Sequence, residues 1–163
     1  EGLAKTPKRV VESWEEIFAG YDMNPHEILD ARFNSEGYDG IVLLKGIEFH
    51  STCEHHLLPF TGKAHIAYIP TEQIVGISKL ARLLEVYARR MQNQERITKQ
   101  TAETLMEILK PLGAAVIIEA KHMCMSCRGA KKSEAMMVTS SMKGVFFDKP
   151  EARAELLQLI RTE

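Results

Sequence analysis

Two short segments of this 163-residue chain concentrate the residue types that hold metals and move protons. The first is Ser51-Thr52-Cys53-Glu54-His55-His56, and the second is His122-Met123-Cys124-Met125-Ser126-Cys127-Arg128. Cys53 and His56 have a chelating spacing, and Cys124 offers a further soft ligand. Thiolate and imidazole together favour Zn²⁺ over the oxygen-seeking Mg²⁺ and Ca²⁺. A lone cysteine is commonly just a small buried apolar residue, so the weight rests on the cluster. Spacing leaves two donor sets open. Cys53, His56 and Cys124 with water would make an open, catalytic site, whereas adding Cys127 would make a closed, structural one. His55 and His122 flank the ligands and can act as acid or base near neutral pH, a use that only the open arrangement has.

A second kind of chemistry is anion binding. Gly76-Ile77-Ser78-Lys79-Leu80-Ala81-Arg82 opens a predicted helix with a hydroxyl, an ammonium and a guanidinium in its first turns. Ser78, Lys79 and Arg82 can converge on a phosphate, which a helix N-terminus also favours. The competing reading is an N-cap serine followed by a solvated charged face. Gln94-Glu95-Arg96 stands at another predicted helix start, where a carboxylate complements the dipole. Arg128-Gly129 adds positive charge next to the second cysteine segment. Arg89-Arg90 reads as a solvated face, and the eight methionines as core filler.

The elements that must position these groups follow from periodicity. Thr6 is predicted to cap a first helix, with Pro7 at its first position and Val10, Trp14, Ile17 and Phe18 on one face. Asn24-Pro25 starts a short helix through Leu29, and residues 34–40 read as a loop. Ile41–His50 reads as a strand. Gly62–Ile69 is a second strand antiparallel to it, with Ala64, Ile66 and Tyr68 on one face and Lys63, His65 and Ala67 on the other. Ser78 is predicted to cap a helix carrying Leu80, Leu83, Leu84, Tyr87 and Met91. A further helix carries Ile97, Thr101, Leu105 and Ile108 and ends at Pro111 and Gly113. Strands follow at 114–121 and 135–145, and Asp148-Lys149-Pro150 opens a last helix. Strand pairs separated by a helical pair indicate an α+β domain with an antiparallel sheet. The metal segments each follow a predicted strand, so adjacent strand ends can bring them together.

Composition bounds the rest. Lys plus Arg is 21 against 22 for Asp plus Glu, a balance that argues against a dedicated nucleic-acid binder. No apolar run approaches the roughly 18 residues that cross a bilayer, so no membrane role is expected. Three cysteines make a poor disulfide scaffold and fit a reducing, cytoplasmic compartment. The opening Glu1-Gly2-Leu3-Ala4-Lys5 lacks a signal-peptide pattern and an initiator Met, consistent with a piece of a longer protein. A single domain is expected over residues 1–163, with a helical segment at about 6–33 and a core at about 41–163.

Taken in order and spacing, these motifs resemble the GTP cyclohydrolase I family. They are Cys53-Glu54-His55-His56, Gly76 to Arg82, Gln94-Glu95-Arg96-Ile97-Thr98 and His122-Met123-Cys124-Met125 with Arg128-Gly129, together with Thr6-Pro7-Lys8-Arg9 and Thr139-Ser140-Ser141-Met142. The resemblance covers nearly the whole chain. It implies a tunnelling fold (T-fold) that assembles into a barrel, in this family a torus-shaped homodecamer. It implies conversion of GTP and water to 7,8-dihydroneopterin triphosphate and formate, the entry to folate or tetrahydrobiopterin synthesis. It implies one zinc on Cys53, His56 and Cys124, with water in the fourth position. His122 looks like the acid at purine nitrogen 7, and His55 and Ser78 like a proton relay. Gln94 and Glu95 look like guanine readers. Lys79, Arg82, Arg128 and Arg9 look like the triphosphate clamp, with some of these groups supplied by neighbouring subunits.

Two departures stand out. The family pattern does not demand a cysteine at Cys127, which favours three ligands. Some members carry a lysine where this chain has Glu12, which weakens the phosphate role of the N-terminal segment. An early-stopping relative that opens the purine ring without forming a pterin is the nearest rival, and a closed Cys₃His assembly module is a more distant one.

Overall fold

A computed structural model describes residues 1–162. The elements run α1 (Thr6–Ile17), a 3₁₀ turn (Ala19–Asp22), α2 (Pro25–Ile28), β1 (Arg32–Asn34), β2 (Val42–Cys53), β3 (Pro59–Ile69), β4 (Gln73–Val75), α3 (Ile77–Ala88), β5 (Met91–Gln92), α4 (Gln94–Leu109), β6 (Gly113–His122), α5 (Met123–Ser126), β7 (Met137–Gly144), α6 (Val145–Asp148) and α7 (Pro150–Arg161). The main sheet is ordered β5-β2-β3-β6-β7. Its long pairs are antiparallel, and only the two-residue β5 lies parallel to β2. The sequence-based expectation of an α+β chain with an antiparallel sheet and two packed helices holds.

Alternation decides what each face covers. Ala64, Ile66 and Tyr68 of β3 and Ala114, Val116 and Ile118 of β6 point to one side and are fully buried. Against them pack Leu80, Leu83 and Leu84 of α3 and Ile97 and Leu105 of α4. Burying such a side chain contributes about 1.5–3 kcal/mol, so this layer is the main reason that the two helices stay on the sheet. The opposite face carries Ala67, Ile69 and Ala115, which α6 and α7 cover with Phe146 and Leu156. β3 and β6 approach closely at Gly62, where a Cβ would run into the Glu119 carbonyl and Ala120. In β2 the register shifts between Leu44 and Ile47, at a bulge whose Gly46 has φ 71°.

Several local expectations are corrected. Thr6 does not cap α1; Lys5 precedes the helix and Thr6 is already helical. Ser78 does not cap α3, because Gly76 holds the cap position and Ser78 is the second helical residue. Met91 lies beyond that helix, in β5. The segment 34–40 is not wholly loop: Asn34 ends β1, which pairs with β4 in a separate two-stranded ribbon. No residue of α1 is buried, and Val10, Trp14 and Ile17 stand 40–44% exposed. Their apolar stripe therefore has no partner within the chain. No helix among the described residues is long and apolar enough to cross a membrane.

Candidate active site and metal centre

β2 ends at Cys53 and β3 begins at Pro59, so the first metal-type segment is the turn between two paired strands. The turn is closed by backbone bonds. Cys53 N–H donates to Leu58 O at 2.8 Å, and Leu57 N–H donates back to Cys53 O at 2.9 Å. Leu57 adopts the left-handed region, with φ 53°. This folding places Cys53 Sγ 3.7 Å from His56 Nδ1 and 3.8 Å from His55 Nδ1.

The second segment arrives by register. β6 runs antiparallel to β3 with His122 opposite Phe60, so its end reaches the same edge of the sheet. The short α5 that follows carries Cys124 inward, and the ligand atoms of Cys53, His56 and Cys124 all lie within 4.8 Å of one another. Metal–sulfur and metal–nitrogen bonds of about 2.3 and 2.0–2.1 Å in a tetrahedron give ligand–ligand edges of roughly 3.5–3.8 Å. The group therefore fits one small cation with little adjustment. Cys127 is not in it; its exposed thiol donates to Met123 O at 2.9 Å. Burial, and then the neighbouring Cys53 sulfur, push the Cys124 thiol above the usual range, while Arg128 draws it down. A cation between the two sulfurs would reverse that balance.

His122 is held from two sides. Its ring stacks on Phe60 at 4.5 Å and 6°. Its Nε2 lies 2.8 Å from Gln94 Oε1. Burial lowers its pKa, an effect that Glu95 partly offsets. Gln94 is wholly buried, and its Nε2 donates to Ile118 O, Met137 O and Thr139 Oγ1 at 2.9, 3.0 and 3.1 Å. In this fold the Gln94 side chain is thus engaged inside the protein. Glu95 is exposed. Arg96 of α4, beside Glu54 on the turn, holds that carboxyl below the usual carboxylate range.

These groups border a cavity of about 230 Å³ lined by Cys53, His55, His56, Phe60, Gln92, Asn93, Gln94, Glu95, His122 and Cys124. Glu95 also borders a neighbouring hollow of about 360 Å³ with Thr98, Lys99, Thr139, Ser140, Ser141 and Lys143. The fold thus brings together the metal-type ligands, His55, His122, Gln94 and Glu95. It does not bring Ser78, Lys79, Arg82, Arg9 or Arg128 into the lining of that cavity; Ser78, Arg82, Arg9 and Arg128 are exposed, and Lys79 is half-buried. Phe60, Gln92 and Asn93 were not anticipated. Asn93 had a readable signal, since it directly precedes a helix and its Oδ1 accepts from Arg96 N–H as an N-cap.

A model of GTP cyclohydrolase I matches residues 1–161. The chain belongs to the GTP cyclohydrolase I family. Among curated members named GTP cyclohydrolase 1, that of Wolinella succinogenes is 54% identical over 161 residues, spanning 99% of this chain and 86% of the relative. A Synechococcus member is 53% identical over 161 residues, covering 99% and 70%. That of Brucella canis is 47% identical over 163 residues, covering 99% and 76%. Among solved structures, the crystal structure of the archaeosine synthase QueF-Like in the apo form superposes with a TM-score of 0.53 at 15% identity, over 64% of this chain and 93% of that one. That likeness concerns the fold alone, and it agrees with the T-fold expectation. Family membership identifies the enzyme as a hydrolase acting on GTP, the reaction against which the cavity is to be read.

Proposed function

We propose that the cavity between the β2–β3 turn and the start of α4 is a zinc-dependent site for opening the guanine ring of GTP. The overall reaction converts GTP and water to 7,8-dihydroneopterin triphosphate and formate, the activity of the family. The observation that carries the reading is the meeting of three ligating atoms of Cys53, His56 and Cys124 within 4.8 Å, in one cavity with His55 and His122. The donor set of two sulfurs and one imidazole suits zinc, and three protein ligands leave one position open. Zinc held there supplies Lewis acidity and activates water for attack on purine carbon 8.

The chain's own groups do the rest. His122, its pKa lowered by burial and its ring oriented by Phe60 and Gln94, handles the proton at nitrogen 7 as the imidazole ring of the base opens. His55 and Ser78 relay protons in deformylation and ribose rearrangement. The Glu95 carboxylate accepts from the guanine ring N–H and its amino group together, a pair that adenine lacks. Gln94, proposed with Glu95 for guanine recognition, contributes from behind the site, since its side chain is already bonded within the protein. Lys79, Arg82, Arg128 and Arg9 clamp the triphosphate.

Arg128, though outside the cavity lining, lies near enough to Cys124 to act on its thiol, whereas the other clamp and relay residues outside that lining, Ser78, Lys79, Arg82 and Arg9, have no such link to it. We therefore place them in a neighbouring subunit's site, within a barrel-shaped homodecamer. The unpartnered stripe of α1 supports such an assembly, as do the outer edges of β2 and β7, which lack strand partners beyond β5 among the described residues. Residues 1–163 act as one catalytic domain, with the helical segment at about 6–33 appended to the T-fold core. Three free cysteines fit a cytoplasmic setting, and the product enters folate or tetrahydrobiopterin synthesis.

Incubation with GTP, followed for formate and for pterin fluorescence, tests the reading. Both products are expected together. Formate without a pterin would assign the chain to an early-stopping relative.

A further inference from the structure

We infer that Gln94 is a positioning residue that fixes the tautomer of His122 and makes no contact with the nucleotide. The inference rests on the proposed role of His122 and deepens it. A glutamine amide has two ends that differ only in what they can bond: the nitrogen donates and the oxygen accepts. Around Gln94 the surroundings choose between them. Its nitrogen faces Ile118 O and Met137 O, two backbone carbonyls that can only accept. Turning the amide over would set its oxygen against both carbonyls in a fully buried place, a mismatch of the kind that buried polar groups avoid.

The main chain of the same residue is tied as well. Thr98 Oγ1 donates to Gln94 O at 2.7 Å and lies 2.7 Å from Thr139 Oγ1. Because the Thr98 proton is spent on Gln94 O, the Thr139 hydroxyl must donate to Thr98. Thr139 Oγ1 then accepts from Gln94 Nε2 at 3.1 Å. The two protons of the Gln94 amide are shared among Ile118 O, Met137 O and Thr139 Oγ1, and the Gln94–Thr139–Thr98 loop runs in one direction.

The Gln94 oxygen is therefore the end that faces His122 Nε2, at 2.8 Å. An acceptor at that distance requires the proton to sit on Nε2. The neutral ring then keeps its lone pair on Nδ1, which makes no hydrogen bond among the described residues. The stack on Phe60 fixes the ring plane, so the direction of Nδ1 is set together with the tautomer. Nδ1 is thus the nitrogen left to meet the substrate, and it must take up a proton before it can pass one to purine nitrogen 7. Gln94 is wholly buried, with its nitrogen turned to the protein's own acceptors and its oxygen turned to His122, so the amide is not presented to a guanine.

Solid-state ¹⁵N NMR of the full zinc-loaded protein labelled in histidine tests this, with the His122 signals assigned as those lost in His122→Asn. At a pH where the ring is neutral, Nε2 should be the protonated nitrogen; protonation on Nδ1 would overturn the inference. A second arm uses Gln94→Met, which keeps length and removes both amide ends. It should lose the single tautomer and lower kcat about 10- to 100-fold, part of what a positioned acid or base contributes. The KM for GTP and the preference for GTP over inosine triphosphate, which lacks the 2-amino group, should stay within about twofold, as expected of a residue outside the binding contacts. A raised KM and a collapsed preference, with the tautomer intact, would make Gln94 a base reader and refute the proposal. If Gln94→Met does not fold, the wild-type spectrum still decides. Full activity of His122→Asn would instead remove the role of His122, leaving the tautomer measurement to judge Gln94 separately.

Discussion

Arg96 grips Glu54 through two parallel hydrogen bonds, Nη1 to Oε2 at 2.6 Å and Nη2 to Oε1 at 3.0 Å. The pair joins the turn that carries Cys53, His55 and His56 to the first turn of α4, which carries Gln94 and Glu95. Asn93 Nδ2 donates to the same carboxylate at 3.3 Å, and Arg96 Nη1 also reaches Gln92 Oε1 at 3.1 Å. The ligand turn and the proposed base-reading helix are thereby clipped together at their solvent side. A bidentate guanidinium–carboxylate contact fixes direction as well as distance.

Arg96→Ala should therefore loosen the metal site more than the fold. The pair is partly exposed, and the turn keeps its own backbone bonds, so the melting temperature should move little. Release of zinc to a chromogenic chelator should quicken by up to about tenfold, the lower end of what changes behind metal ligands cost. An unchanged release rate would mean that the Cys53–Leu58 backbone bonds hold the turn without help.

Cys124→Ser and Cys127→Ser should part company. Cys124 belongs to the group of three, whereas Cys127 is exposed and bonded to Met123 O. Metal analysis should find about one zinc per chain in the wild type and in Cys127→Ser, and a large loss in Cys124→Ser. Equal losses in both variants would revive the closed four-ligand site.

The parts legible in the sequence are those with a local signal. Alternation exposed β3, an apolar-rich run exposed β2, and helical spacing exposed α3 and α4, because in each the apolar face is buried inside the same chain. The same logic failed at α1. Val10, Trp14 and Ile17 share a face as predicted, but periodicity says that a stripe exists and not what covers it. Met91 has the right spacing for α3, yet the helix ends at Ala88 and the chain turns to pair with β2. Ser78 looked like a cap because serine commonly is one; Gly76 holds that position. At the site, the ligand triad was readable because cysteine and histidine at chelating spacing are rare by chance. The burial of Gln94 was not readable, since a glutamine at a helix start is ordinarily solvated. Partners distant in sequence make its burial stable: the carbonyls of Ile118 and Met137, 24 and 43 residues away, with Thr139 and His122.

Glu95→Gln should separate recognition from stability. Glu95 is exposed at the start of α4, so the fold should tolerate the change. The amide keeps the shape but replaces one acceptor with a donor that opposes the donors of guanine. A mismatch of this kind, once buried by the nucleotide, costs about 1–3 kcal/mol, so titration calorimetry should show GTP binding weakened at least several-fold. Unchanged binding would remove Glu95 from base recognition.

The assembly is tested by mixing two inactive chains. His122 borders the cavity, while Arg82 is exposed on α3 and does not line it. If Arg82 serves the site of an adjoining subunit, His122→Ala and Arg82→Ala damage different halves of the same shared site. Co-refolded as an equal mixture, the two variants should regain activity, because roughly one site in four draws an intact His122 from one chain and an intact Arg82 from the next in a symmetric ring. Each variant alone should stay inactive, and light scattering should give an assembly of about 180 kDa, ten chains of 18.4 kDa. An active monomer would refute the assembly. A verified mixed oligomer without recovery would refute only the placement of Arg82 and His122 on different chains. In that event the triphosphate clamp would have to reach the cavity from its own chain, by a movement of α3 that its buried Leu80, Leu83 and Leu84 oppose.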